Sequence, residues 1–141
     1  MNAKRRTRIL CVDDHPEIRR LFELVMRDHE EFELVGTAPG AEGLEAKIEE
    51  LCPDVVILDV SMNGRDPLEA LKSAKLGSSS VRFLVCSSYD DDATVHRALA
   101  AGAMGYLIKD GVFDELTQAI RRVARDEQVL PRGFSGRRLE S

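Results

Sequence analysis

Residues 9–20, ILCVDDHPEIRR, run from a short apolar stretch into two adjacent carboxylates, and from there into a segment opened by a proline. Ile9–Val12 has the length of a strand and is too continuously apolar to keep one face in water, so it reads as a strand buried on both sides. Pro16 suits the first position of a helix, where no N–H is needed. Behind it Ile18, Leu21, Phe22 and Val25 recur at i, i+3, i+4 and i+7, the stripe of a helix with one buried face. A buried strand joined by a few residues to a one-faced helix is the unit of a sheet covered by helices. Asp13 and Asp14 fall at the joint.

The same unit recurs along the chain. Apolar runs stand at Leu34–Gly36, where the signal is weak, and at Val55–Leu58, Val81–Cys86 and Tyr106–Ile108. Between them Ala41, Leu44, Ile48 and Leu51 have helical spacing closed by Pro53. Leu68, Leu71 and Ala74 follow Asp66 as N-cap and Pro67 at N1. A fourth helix is expected over about 91–101, with Val95, Ala98 and Leu99 inward and Gly102 as C-cap. The fifth, over about 112–125, carries Leu116, Ala119, Ile120, Val123 and Ala124. Five strand-and-helix pairs with short joints predict an α/β fold: a doubly wound, parallel five-stranded sheet with helices on both faces, a three-layer sandwich. The pattern places one domain over residues 7–127. Residues 128–141, including VLPRGFSGRRLES, are rich in Arg, Gly and Ser and read as a tail or the start of a linker.

With 141 residues, 43% of them hydrophobic, the chain fits one domain and has no room for a second full one. A net charge of −5 argues against a broad nucleic-acid or membrane footprint. Basic residues gather at the two ends, as solvated tails and as compensation for a helix dipole. No apolar run approaches the ~20 residues of a membrane span, and the N-terminus lacks the apolar stretch of a signal peptide, so a cytoplasmic location is expected. Cys11, Cys52 and Cys86 form no CxxC pair, which points to neither a disulfide framework nor a zinc site.

In open parallel sheets ligands bind beyond the carboxyl ends of the strands. Asp13 and Asp14 follow the first strand, Asp59 ends the third, Ser87 and Ser88 the fourth, and Lys109 the fifth. Clustered acids raise one another's pKa and call for a cation; a hard divalent ion such as Mg²⁺ suits carboxylate, carbonyl and water ligands. Metal, lysine and hydroxyl converging on one carboxylate have the parts for phosphoryl transfer, in which an aspartate can be the nucleophile. Asp59, on a central strand if the order is 2-1-3-4-5, is the expected acceptor. Taken singly, each residue has a plainer role: Asp13 and Asp14 as caps of the first helix, Asp59 as a turn residue, Ser87 as a capping hydroxyl, Lys109 as a surface charge.

The motifs VDDHPEIR, DVVILDVSM, FLVCSS and AGAMGYLIKD together resemble the receiver domain of two-component response regulators, over roughly residues 7–127, and the ending is similar to the NarL/FixJ type. The resemblance implies the CheY-like, flavodoxin-like strand order 2-1-3-4-5. It implies Asp59 as phosphoacceptor from a sensor histidine kinase or a histidine phosphotransfer protein. Asp14 and Asp59 would be Mg²⁺ ligands, with Asp13 acting through water and the main-chain carbonyl of Ser61 as a further ligand. Ser87 would be the switch hydroxyl, Lys109 the cation on the phosphoryl group, and Tyr106 the aromatic that turns inward. The resemblance also implies possible homodimerisation through the face of the fourth helix, fifth strand and fifth helix. DNA would be contacted only by a C-terminal output domain. Such a protein is a signalling phosphoacceptor that catalyses only its own phosphorylation and dephosphorylation.

The chain departs from the family in a few places. Asn63 stands where Pro usually follows Met, Pro67 where Gly is common, Ser88 beside the switch hydroxyl, and Asp110 where Pro is frequent. The unusual SMNGRDP loop motivates one alternative, a receiver that binds partners without phosphate. A haloacid-dehalogenase-like phosphatase would need Asp-x-Asp after the first strand, where this chain has His15. A flavodoxin-like cofactor binder would have its phosphate repelled by Asp13 and Asp14.

Overall fold

The computed structural model describes residues 5–78, 80–109, 113–131 and 133–134. Five strands, β1 (Thr7–Val12), β2 (Phe32–Ala38), β3 (Val55–Leu58), β4 (Arg82–Ser87) and β5 (Gly105–Ile108), alternate with five helices. These are α1 (Pro16–Arg27), α2 (Leu44–Leu51), α3 (Pro67–Gly77), α4 (Asp92–Ala101) and α5 (Phe113–Ala124). The strands pair in parallel in the order β2-β1-β3-β4-β5, the order expected from the resemblance.

Alternation along each strand builds two cores. Leu10, Val12, Val56, Leu58, Phe83, Val85 and Tyr106 point to one face and pack with Leu44 and Ile48 of α2, Leu71 and Ala74 of α3, and Val95 and Ala98 of α4. Ile9, Cys11, Val55, Ile57, Leu84, Cys86 and Leu107 point to the other, against Phe22 and Met26 of α1 and Leu116, Ile120 and Val123 of α5. Burial on both faces is why the inner strands read as unbroken apolar runs. Each fully buried Leu, Ile or Val contributes about 1.5–3 kcal/mol.

The differences from expectation have local causes. β2 extends well beyond Leu34–Gly36 because it is an edge strand, with only Phe32 and Ala38 buried and residues between them half-exposed. Helix α2 starts at Leu44, not at Ala41: Gly43 takes φ +70° and turns the chain just ahead of it, although Ala41 is still buried in the core. It ends at Leu51 with Cys52 left-handed at φ +51°, before Pro53 is reached. Asp66 and Gly102 are the caps expected, and Asp91, expected at the start of the fourth helix, is its N-cap. Asp66 accepts from Leu68 N–H at 3.0 Å, Asp91 from Thr94 N–H at 3.0 Å, and Gly102 closes α4 at φ +121°. The expected start of α5 at Val112 lies outside the described residues.

After α5 the chain returns to the sheet for one residue. Val129 is buried, forms an isolated parallel bridge with Gly105, and accepts the Tyr106 N–H at 2.9 Å. A Cβ at Gly105 would stand 2.9 Å from Val123 Cγ2 and 3.1 Å from Val129 Cβ, so glycine is what lets this segment close on the β5 edge. Among the described residues no helix is long and apolar enough to cross a membrane.

Candidate functional site

The backbone ladders carry the site residues to one edge. Val12 pairs with Leu58, so the next residues, Asp13 and Asp59, emerge side by side, tied by Asp59 N–H to the Val12 carbonyl at 3.0 Å. Lys109 N–H bonds the Ser87 carbonyl at 2.8 Å, prolonging the β4–β5 ladder by one step. Asp13, Asp59 and Ser87 are buried, each 1% exposed or less, although nothing in their composition favours burial.

One cation is shared between two of these carboxylates. Lys109 Nζ lies 2.8 Å from Asp13 Oδ2 and 3.2 Å from Asp59 Oδ2. Burial of the ammonium group pulls its pKa down, but the bond to Asp13 and the charges of Asp59 and Asp13 outweigh this, and the net shift is upward. His15, outside the expected set, joins the cluster: its Nδ1 is 3.1 Å from Asp13 Oδ1 and 3.0 Å from Asp14 Oδ1. Donating a hydrogen bond to Asp13, and the charge of Asp14, raise its pKa. Its place directly after the acid pair was the available signal.

The capping role for the acid pair is not what the structure has. His15 is the N-cap of α1, without a side-chain cap bond, while Asp13 Oδ1 accepts the His15 N–H at 2.9 Å and so folds the joint rather than the helix. Arg19 Nη1 holds that joint from below by donating to the Asp13 carbonyl at 2.6 Å.

The donor set fits a hard divalent cation. Ligand atoms of Asp13, Asp14, His15 and Asp59 lie within 4.8 Å of one another. Asp14 Oδ1 and Asp59 Oδ2 are shut off from solvent and accept no hydrogen bond among the described residues; each has an ion-pair contact, to His15 and Lys109 respectively. Buried carboxylate oxygens left this way are what an oxygen-seeking ion would occupy.

The loop leaving β3 is fixed at both ends. Ser61 donates to Asp59 Oδ1 through its N–H at 2.9 Å and its hydroxyl at 2.7 Å. Met62 sinks into the core, and Gly64 turns the chain at φ +90°. Arg65 then grips its surroundings: its N–H donates to Glu42 Oε2 at 3.0 Å, and its guanidinium reaches Glu45 Oε1 and Oε2 at 2.7 and 2.6 Å and Glu69 at 3.3 Å. Hydrogen bonds from Arg65 and Ser73 hold the Glu45 carboxyl down at about 2. A lowered carboxyl stabilises the fold above its ordinary value of 4.5, and that contribution is lost as pH falls from there towards about 2. Solvent screening keeps that contribution small for a side chain 39% exposed, so Glu45→Gln is expected to flatten the dependence of melting temperature on pH only slightly between about pH 5 and about pH 2.

Ser87 and Tyr106 meet at one residue. Ser87 Oγ accepts the Tyr89 N–H at 3.1 Å, while the Tyr106 hydroxyl donates to the Tyr89 carbonyl at 2.7 Å. Tyr106 is fully buried, and burial pushes its pKa up. Tyr106→Phe would leave that carbonyl without its donor and is expected to cost about 1 kcal/mol in urea unfolding. Ser88 is exposed, and Asp110 lies outside the described residues.

Comparison with known proteins agrees with this arrangement. The response regulator receiver domain family matches residues 9–121. The chain is 33% identical over 134 residues to the nitrate/nitrite response regulator protein homolog of Haemophilus influenzae, covering 94% of this chain and 64% of that one. It is 33% identical over 133 residues to the transcriptional regulatory protein LiaR of Bacillus subtilis, covering 94% and 63%. It thus spans less than two thirds of the length of these relatives. Among solved structures, a LuxR-family two-component response regulator from Aurantimonas superposes with a TM-score of 0.83 at 27% identity, over 89% of both chains. The receiver domain of the putative response regulator NarL from Mycobacterium tuberculosis gives 0.81 at 29% identity, over 86% of this chain and 98% of that one. Response regulators are signalling proteins rather than metabolic enzymes. A match running from β1 into α5 leaves one assignment: the chain belongs to the receiver domain family of two-component response regulators.

Proposed function

We propose that this receiver accepts a phosphoryl group on Asp59 and that the modification switches a protein-interaction surface. The observation that carries the proposal is Asp59 Oδ2 itself: buried, 3.2 Å from Lys109 Nζ, and with no other donor on it among the described residues. Its partner oxygen is held in place by Ser61, so the carboxylate is oriented with one oxygen ready to react. That oxygen attacks the phosphorus of a phosphohistidine on a sensor kinase or histidine phosphotransfer protein. A P–O bond forms as the P–N bond breaks, and the departing imidazole keeps the electron pair and is protonated by solvent. Lys109 neutralises charge on the phosphoryl oxygens.

Asp14 and Asp59, Asp13 through water, and the Ser61 main-chain carbonyl would hold Mg²⁺. When bound, the ion offsets the negative charge that otherwise keeps a phosphoryl group away from three acids. The Ser87 hydroxyl turns to donate to a phosphoryl oxygen. Because Ser87 and Tyr106 share Tyr89, that turn shifts the loop and the packing of Tyr106, and with them the α4–β5–α5 face. Homodimerisation through that face, and DNA contact by an output region outside residues 7–127, fit a regulator of the kind that LiaR's name describes. Residues 128–141 would begin the linker to it. Exchange with such a kinase places the protein in the cytoplasm. The phosphate-independent alternative is motivated by the SMNGRDP loop, which is bonded at Ser61 and Arg65, and phosphoryl uptake decides between the two readings.

Intact-mass measurement after incubation with acetyl phosphate tests the proposal. One phosphoryl group is expected with Mg²⁺ and none with a chelator. Equal uptake in chelator would contradict the metal's part, and no uptake with Mg²⁺ from either acetyl phosphate or a phosphohistidine donor would contradict the whole.

A further inference from the structure

We propose that Arg65, held by Glu45 and Glu42, is a positioning residue that sets the affinity of the site for Mg²⁺ by fixing the loop that carries Ser61. This rests on the function proposed above, since the loop matters only if Ser61 offers its carbonyl to the metal.

Between Ser61 and Arg65 the loop has no proline to stiffen it; a Pro at position 63, where this chain has Asn63, would restrict φ without any side-chain partner. This chain uses charge instead. The Arg65 guanidinium forks onto both oxygens of Glu45, the geometry that fixes direction as well as distance. Its main-chain N–H goes to Glu42, so side chain and backbone are both restrained. Gly64 belongs to the same device: a Cβ there would collide with Glu42 Oε2, and its φ of +90° disfavours other residues. Three residues before Gly64, Ser61 is bonded to Asp59, and between Ser61 and Gly64 Met62 is anchored in the core. The segment is therefore pinned at Asp59, at the core and at α2.

As a source of global stability this cluster is weak. The Arg65 and Glu45 side chains are 26% and 39% exposed, and ion pairs in such positions add little to folding. What the grip restricts is where the loop lies, and a metal ligand displaced by even an ångström loses much of its affinity. Its removal should appear in metal binding and not in unfolding.

The experiment is a Mg²⁺ titration of the whole chain followed by amide shifts in NMR, with urea unfolding in parallel. Arg65→Ala and Glu45→Gln are expected to weaken Mg²⁺ binding about five- to tenfold, with unfolding midpoints close to the parent's. Arg65→Lys keeps the charge but cannot fork, and should fall between Arg65→Ala and the parent. Gly64→Ala disturbs the Glu42 contact by an independent route and should weaken binding in the same direction. Phosphoryl uptake from acetyl phosphate should return to the parent rate for Arg65→Ala once Mg²⁺ is saturating. Parent-like Mg²⁺ affinity in Arg65→Ala and Glu45→Gln would overturn the positioning role while leaving the proposed function standing. An affinity loss that merely tracks a loss of folding stability would overturn it as well. A parent chain that binds no Mg²⁺ at millimolar concentration would instead overturn the function on which it rests.

Discussion

Asp59→Asn is expected to reduce Mg²⁺-dependent phosphoryl uptake from acetyl phosphate by about a hundredfold or more. An amide is a poor nucleophile, and the variant also removes one of the charges that make the site demand a cation. Ser61 can still donate to the side-chain oxygen at 59, so the loop should keep its place and the protein should fold. A second signature separates lost chemistry from lost structure. In the parent, Mg²⁺ at ten times its dissociation constant should stabilise the fold by about 1.4 kcal/mol, because it binds only the folded state. In Asp59→Asn that dependence of the urea midpoint on Mg²⁺ should largely disappear. Full uptake with the variant, or an unchanged Mg²⁺ dependence, would move the acceptor and ligand roles elsewhere.

Lys109→Met is expected to have an effect of opposite character, large in stability as well as in rate. Lys109 is 13% exposed and bridges two carboxylates that are almost wholly buried. Methionine keeps the length of the stem and removes the charge, so Asp59 would lose its counter-ion and Asp13 would keep only the half-exposed His15, 3.1 Å away. Breaking a buried pair by deleting one partner costs about 3–5 kcal/mol, and the lower end applies here because the site opens to water at Asp14. Millimolar Mg²⁺ should restore part of this loss, since the metal takes over the neutralising role. Phosphoryl uptake should fall about a hundredfold even at saturating Mg²⁺, because the cation facing the phosphoryl oxygens is gone. Parent-like stability without Mg²⁺ would show that Lys109 does not carry the charge balance of the pocket.

How much of this could be read from sequence depended on whether the signal was local. β3 was read with both ends correct because all four of its residues are buried, leaving an apolar run bounded by Asp54 and Asp59. β2 was read short because an edge strand mixes Glu33 and Thr37 with its apolar residues and its pattern fades. Periodicity carried α2 back to Ala41, since a residue can be buried in the core without being helical; the turn at Gly43 depends on a backbone angle that spacing does not reveal. Asp13, Asp59 and Lys109 were legible because each directly follows or ends an apolar run, and parallel strands bring such positions to one edge. The Arg65 grip is not, because its partners Glu45 and Glu42 are 20 and 23 residues away, on α2 and in the turn ahead of it, and nothing in SMNGRDP names them. Val129 is hidden in a Gly- and Arg-rich stretch for a related reason. Its burial depends on the missing side chain of Gly105, 24 residues earlier.

The most direct test of the central claim is to locate the phosphoryl group chemically. Phosphorylate the protein with acetyl phosphate and Mg²⁺, reduce the acyl phosphate with borohydride, which converts a phosphorylated aspartate to homoserine, and sequence the peptides by mass spectrometry. Homoserine at position 59, and at no other aspartate, is the predicted result. Homoserine at position 13 or 14, or a borohydride-resistant phosphoester on Ser61 or Ser87, would contradict it.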